Sequence, residues 1–155
     1  MQFTSSEEIE APIEAVFDEI TGFTAFERSA RRRGAEVRRT DTLTGPGVGM
    51  GWHARFTLRG RLREVDIALV RHDPPHGITL DAGSPAITGR MRVDLVALSP
   101  TRTRLAVDLT VAPKGLAGRV MLQPLKLMRG NLTRRFRLRV ADFATDVEER
   151  FKSRV

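Results

Sequence analysis

The hydrophobic period of the chain changes twice. Ile13, Val16, Phe17 and Ile20 share one face of a helix that Ala11-Pro12 opens and Gly22 ends. A second short helix is expected through Phe23, Phe26 and Ala30, closing at Gly34 behind Arg31-Arg32-Arg33, where cations suit a helix C-terminus. From Val37 the period becomes two. Trp52, Ala54, Phe56 and Leu58 alternate with His53, Arg55, Thr57 and Arg59. The same alternation carries Val65-Ile67-Leu69, Ile78-Leu80-Ala82, Met91-Val93-Leu95-Ala97 and Leu105-Val107-Leu109-Val111. With the polar segment before Ala11, this predicts strands starting near Phe3, Val37, Trp52, Leu62, Ile78, Met91 and Leu105. The turns between them are short (Gly60, Asp73-Pro74-Pro75-His76-Gly77, Gly83-Ser84-Pro85, Ser99-Pro100-Thr101), so consecutive strands should pair antiparallel with one face buried.

Beyond Pro113-Lys114-Gly115 the helical period returns. Met121, Leu125, Met128, Leu132, Phe136, Val140, Phe143, Val147 and Phe151 recur at steps of three and four. One long helix is expected from about Gly118 onward, laid across the apolar face of the sheet, with a kink or a split first turn at Pro124. The expected fold class is α+β: a seven-stranded curved antiparallel sheet around a long C-terminal helix, with two short helices after the first strand. A length of 155 residues suits one domain spanning 1–155.

Composition narrows the chemistry. No cysteine is present, which excludes disulfides, a thiolate nucleophile and cysteine-ligated metal. The absence of tyrosine removes the phenolic acid or base, and no serine or threonine can be set beside a histidine on the inner face. His72 and His76 have the spacing of a metal-binding helix, but Pro74-Pro75 between them forbids that helix. All three histidines, His53 included, are expected at the surface. No cofactor or metal is expected. The start lacks the features of a signal peptide and no window approaches a membrane span, so the cytoplasm is the expected location.

The opening Ala11-Pro12 followed by Val16-Phe17, the loop glycines Gly47 and Gly49 leading into a strand, and the closing amphipathic helix together resemble the START-like, or SRPBCC, superfamily of helix-grip proteins. The likeness covers essentially the whole chain and includes the bacterial polyketide cyclase/dehydrase-like proteins. It implies a cavity between sheet and C-terminal helix that takes a lipid, a polyketide or another apolar molecule. Some members of that group catalyse cyclisation or dehydration.

Trp52, Phe56 and Met91 on the strands, with Met121, Met128, Leu132 and Phe136 on the helix, are therefore the expected pocket lining; each is also an ordinary core residue type. Gly47 and Gly49 are expected in a lip at the pocket entrance. No Gly-Lys-Ser/Thr follows these glycines and a strand comes next, which argues against phosphate binding. Arg139, at the edge of the apolar stripe, is the one weak catalytic candidate; its competing reading is a side chain whose stem packs while its head reaches water. The reading is a binder of a small apolar ligand, with a polyketide cyclase/dehydratase-like enzyme as the alternative. The net charge of +7 adds a second alternative, a surface for anionic lipid or nucleic acid, although no specific nucleic-acid partner is expected. Leu127 and Leu138 point away from the stripe, leaving monomer and homodimer both open.

Overall fold

A computed structural model describes residues 1–154. Strand β1 (Gln2–Ile9) leads into helices α1 (Ile13–Ile20) and α2 (Phe23–Arg32). Six strands follow: β2 (Glu36–Arg39), β3 (Gly51–Leu58), β4 (Arg61–Asp73), β5 (Gly77–Gly83), β6 (Ile87–Ser99) and β7 (Arg102–Pro113). Helices α3 (Gly115–Leu127) and α4 (Arg129–Ser153) complete the chain. The sheet runs β1-β7-β6-β5-β4-β3-β2 with every neighbouring pair antiparallel, so β1 and β2 are its edges. This is the seven-stranded helix-grip architecture that the alternating pattern implied. Short hairpins join β3 through β7 in sequence, a longer loop over residues 40–50 joins β2 to β3, and β1 reaches the far edge by pairing with β7.

The C-terminal segment is divided at Met128, four residues beyond Pro124, where the kink or split of the long helix was expected. Pro124 is accommodated inside α3, and the chain turns at Met128 (φ −98°, ψ 11°), just before Arg129-Gly130. Proline cannot donate to the carbonyl one turn earlier, which weakens the exposed α3, and Gly130 lowers the propensity to continue straight through. The two helices do different work. The backbone of Lys114 donates to the carbonyl of Ala86 at 2.7 Å, and Gly118 is buried against that same β5–β6 turn. At the other end of α3, the Arg59 guanidinium of the β3–β4 turn donates to the Met128 sulfur at 3.7 Å. Helix α3 thus crosses one end of the sheet, from the β5–β6 turn to the β3–β4 turn.

Helix α4 runs back along β1 towards α1. Arg137 Nε donates to the carbonyl of Thr4 at 3.3 Å, and near the far end the Glu148 carboxylate accepts the backbone N–H of Glu10 at 2.7 Å. Val140, Ala144 and Val147 are buried beneath it together with Ile9, Ala11, Val16, Leu69 and Leu105.

A β-bulge between Leu69 and Arg71 shifts the phase of β4. Val70 is left exposed, and His72, expected at the surface, turns inward to lie half-buried against the Phe17 ring, 5.6 Å between centroids. Simple alternation could not anticipate that reversal, because one inserted residue exchanges the two faces.

Candidate ligand site

Burial along the inner face falls steadily towards the end that α3 crosses. On β3, Trp52 and Ala54 are buried, Phe56 is half-buried and Leu58 is exposed. On β4, Leu69 is buried while Ile67, Val65 and Arg63 are half-buried. Val93 and Leu95 of β6 are buried and Met91 is not. Helix α4 repeats the gradient: Val147, Ala144 and Val140 are buried, Phe136 and Leu132 half-buried, and Met128 exposed. The packed core fills the α1 end of the grip. Under α3 the sheet presents apolar walls that the protein covers only in part.

The site residues expected from sequence divide between these two ends. Phe56, Met91, Leu132 and Phe136 belong to the incompletely covered region, with Met121 half-buried on α3 above it. Phe136 leans on Phe3 at 5.9 Å between ring centroids. Met128 marks the joint between α3 and α4. Trp52 faces inward as the alternation required, but it is part of the closed end. Its ring meets Phe23 of α2 at 5.2 Å, the Arg39 guanidinium lies 5.6 Å from it, and its indole N–H donates to Glu27 at 3.1 Å.

Gly47 and Gly49 stand at the end of the sheet opposite α3. Gly49 N–H donates to the carbonyl of Leu69 at 3.1 Å, which ties their loop to the packed core. The Asp41 carboxylate holds this loop from within, accepting the backbone N–H groups of Leu43 and Gly51 at 2.9 Å each and the Arg39 guanidinium at 2.8 Å. Those donors keep the Asp41 carboxyl well below the usual carboxylate range, the Arg39 hydrogen bond contributing most. Arg139 is exposed.

One residue of the region was missed from sequence. Arg63 lies opposite Phe56 in the β3–β4 register, and its Nε is buried without a hydrogen-bond partner. Its signal was legible in hindsight. Extending the inner phase of Val65, Ile67 and Leu69 one step back lands on Arg63, a cation where the alternation calls for an apolar residue. A buried donor without an acceptor costs stability, so its presence asks for a reason.

The outer face of the sheet offers different chemistry. A groove of about 690 Å³ is lined there by Thr4, Ser6, Arg92, Asp94, Asp108 and Arg137. On β3, His53 Nδ1 lies 2.6 Å from Asp66 and its Nε2 lies 3.6 Å from Glu64; the Asp66 hydrogen bond is the main cause of its raised pKa. These polar, ion-paired surfaces contrast with the apolar walls inside the grip.

A family model described as "polyketide cyclase / dehydrase and lipid transport" matches residues 1–148. The chain belongs to this family. No curated protein matches the chain. Among solved structures, the Zhui aromatase/cyclase from Streptomyces sp. R1128 aligns over 97% of this chain and 95% of its own, with a TM-score of 0.68 at 13% identity. A START superfamily protein from Mycobacterium smegmatis aligns over 86% and 95%, with a TM-score of 0.56 at 16% identity. Ara h 8.0201 aligns over 99% and 98%, with a TM-score of 0.60 at 12% identity. At such identities the likeness establishes the family fold; which molecule the site receives is a matter for its own residues.

Proposed function

We propose that the protein binds a small apolar molecule carrying one acidic oxygen, of the fatty-acid or aromatic polyketide type, between the sheet and helices α3 and α4. The observation that carries this reading is the pairing of Phe56 with Arg63 on half-covered inner walls. Apolar surface left partly open at Phe56, Met91, Leu132 and Phe136 gains stability when a ligand covers it, at about 25 cal/mol per Å² removed from water. The Arg63 guanidinium, whose buried Nε has no partner among the described residues, supplies the cation that such a ligand's carboxylate or enolate would meet. Family membership supports the class of ligand. The reading assigns these walls to binding; they hold no tyrosine or cysteine that would add a phenol or a thiolate to the site.

Native mass spectrometry of freshly purified protein tests the reading directly. A co-purified apolar acid, or saturable uptake of added oleate, is the expected result. Protein that carries no such mass, and takes up neither oleate nor a polyaromatic acid, would overturn it.

A further inference from the structure

The outward face of α3 has no partner within the molecule. Leu116, Val120 and Leu127 are 77%, 60% and 91% exposed, and their spacing of four and seven residues sets them in one stripe. The neighbouring β3–β4 tip adds Leu58 and Leu62, both exposed and joined to the end of α3 by the Arg59 contact to Met128. Aliphatic side chains this exposed on adjacent elements are uncommon on a freely soluble surface.

The charge around them has one sign. Between Asp108 and Asp142 the chain carries eight lysines and arginines and no acid, which exceeds the net charge of +7 for the whole protein. Arg119 and Lys126 flank the apolar stripe on the helical wheel, Arg129 follows it, and Arg59 and Arg61 frame the hairpin tip. Among the described residues none of these five forms an ion pair, whereas Arg55, Arg71, Arg90 and Arg92 of the sheet each pair with a carboxylate.

We infer that α3 and the β3–β4 tip form a docking face for an anionic lipid bilayer, with Leu116, Val120 and Leu127 entering the interface and the flanking cations meeting the headgroups. Charge complementarity selects this occupant. A second copy would set two strongly basic faces against each other. A nucleic acid would engage the arginines but gain nothing from the leucines, and α3 has no aromatic ring on which a base could stack. A bilayer surface uses both features, since apolar burial and attraction to anionic headgroups add. The contact is peripheral, because no helix among the described residues is long and apolar enough to cross a membrane. This inference does not depend on what the interior binds.

Co-sedimentation with vesicles tests it. Phosphatidylcholine vesicles carrying about one third phosphatidylglycerol should bring the protein down, and pure phosphatidylcholine vesicles should do so several-fold less. The double variant Val120→Ser, Leu127→Ser changes only exposed positions and should lower partitioning by about tenfold or more. The double variant Arg119→Gln, Lys126→Gln should weaken binding and flatten its dependence on salt between about 0.1 M and about 0.5 M. Absence of binding to the anionic vesicles would overturn the inference. So would binding that the serine variant leaves unchanged, or a dimer in solution that Leu127→Ser dissolves.

Discussion

The Thr103 hydroxyl donates to the carbonyl oxygen of Ala11 at 2.8 Å, linking β7 to the entry of α1 across 92 residues of sequence. Both residues are fully buried. The bond fixes the point at which the chain leaves the sheet at Ile9 and turns at Pro12 into the helix whose Val16 and Phe17 close the core. Thr103→Val keeps the shape and removes the donor, leaving a buried carbonyl unsatisfied, and should cost about 1–3 kcal/mol in urea unfolding. Thr103→Ser retains the hydroxyl and should lose less. Equal losses in the two variants would mean that packing, not the hydrogen bond, secures this junction.

Gly118 holds α3 in place by having no side chain. A Cβ built there would lie 2.1 Å from the carbonyl oxygen of Ala86. Gly118→Ala must therefore lift α3 from the β5–β6 turn, against the usual helix-stabilising effect of alanine, with a net loss of roughly 1–3 kcal/mol. Amide exchange across 115–127 should quicken in this variant while β6 and β7 stay protected. Unchanged exchange in α3 would show that the helix does not depend on this close approach.

The periods of two and 3.6 made the architecture legible because almost every element has one apolar face. Strand β3 and helix α1 start within one residue of where Trp52 and Ile13 placed them. Strands β6 and β7 begin earlier than Met91 and Leu105 suggested, since Ile87-Thr88-Gly89-Arg90 and Arg102-Thr103-Arg104 are too polar or too small to announce pairing. The position of the helix break escaped for a physical reason. The break at Met128 lies four residues after the proline that drew attention, and the stripe of Leu125, Met128 and Leu132 runs across it without losing phase. The site was harder to place than the fold: Trp52 and Phe56 share a strand face and a hydrophobic character, and only burial separates the packed end from the open one.

The sole tryptophan reports on the packed end. Trp52 is 5% exposed, with Phe23 and Arg39 against its ring and Glu27 on its indole N–H. Its emission should be blue-shifted and poorly quenched by iodide. Phe23→Ala strips one side of the ring and should shift the emission to the red, with a stability loss of roughly 1–3 kcal/mol for a half-buried aromatic. An apolar ligand bound under α3 should leave the emission maximum nearly unchanged. A large shift on ligand addition would move the binding site to the α2 side.

Two groups should shape stability against pH with opposite signs. The folded-state pKa of His53 is raised above 6.5, chiefly by Asp66, so its contribution is complete below about that pH and is lost as pH rises through the folded value. The Asp41 carboxyl is depressed below 3.8, so its contribution is present above that pH and fades as pH falls towards the folded value. Thermal melts of His53→Gln should differ most from the parent protein in mild acid and converge with it in alkali. Those of Asp41→Asn should differ at neutral pH and converge in strong acid. The reverse order in either variant would contradict the pairing assigned to that residue.

Arg63 sets an energetic test of the interior. Its Nε is buried without an acceptor among the described residues, and an unsatisfied buried donor costs stability. Arg63→Met keeps most of the length and apolar surface of the side chain, and should leave stability unchanged or raise it by up to about 1 kcal/mol. Binding should respond in the opposite direction. A charge-assisted hydrogen bond contributes about 1.5–3 kcal/mol, so a fatty acid should bind Arg63→Met at least about tenfold more weakly than it binds the parent protein. The matching fatty alcohol has no charge to neutralise and should bind both proteins alike. Titration calorimetry with that pair of ligands separates the two terms: equal losses for acid and alcohol would make Arg63 a packing residue, and a stability loss in the ligand-free variant would mean that its guanidinium already has a partner in the empty protein.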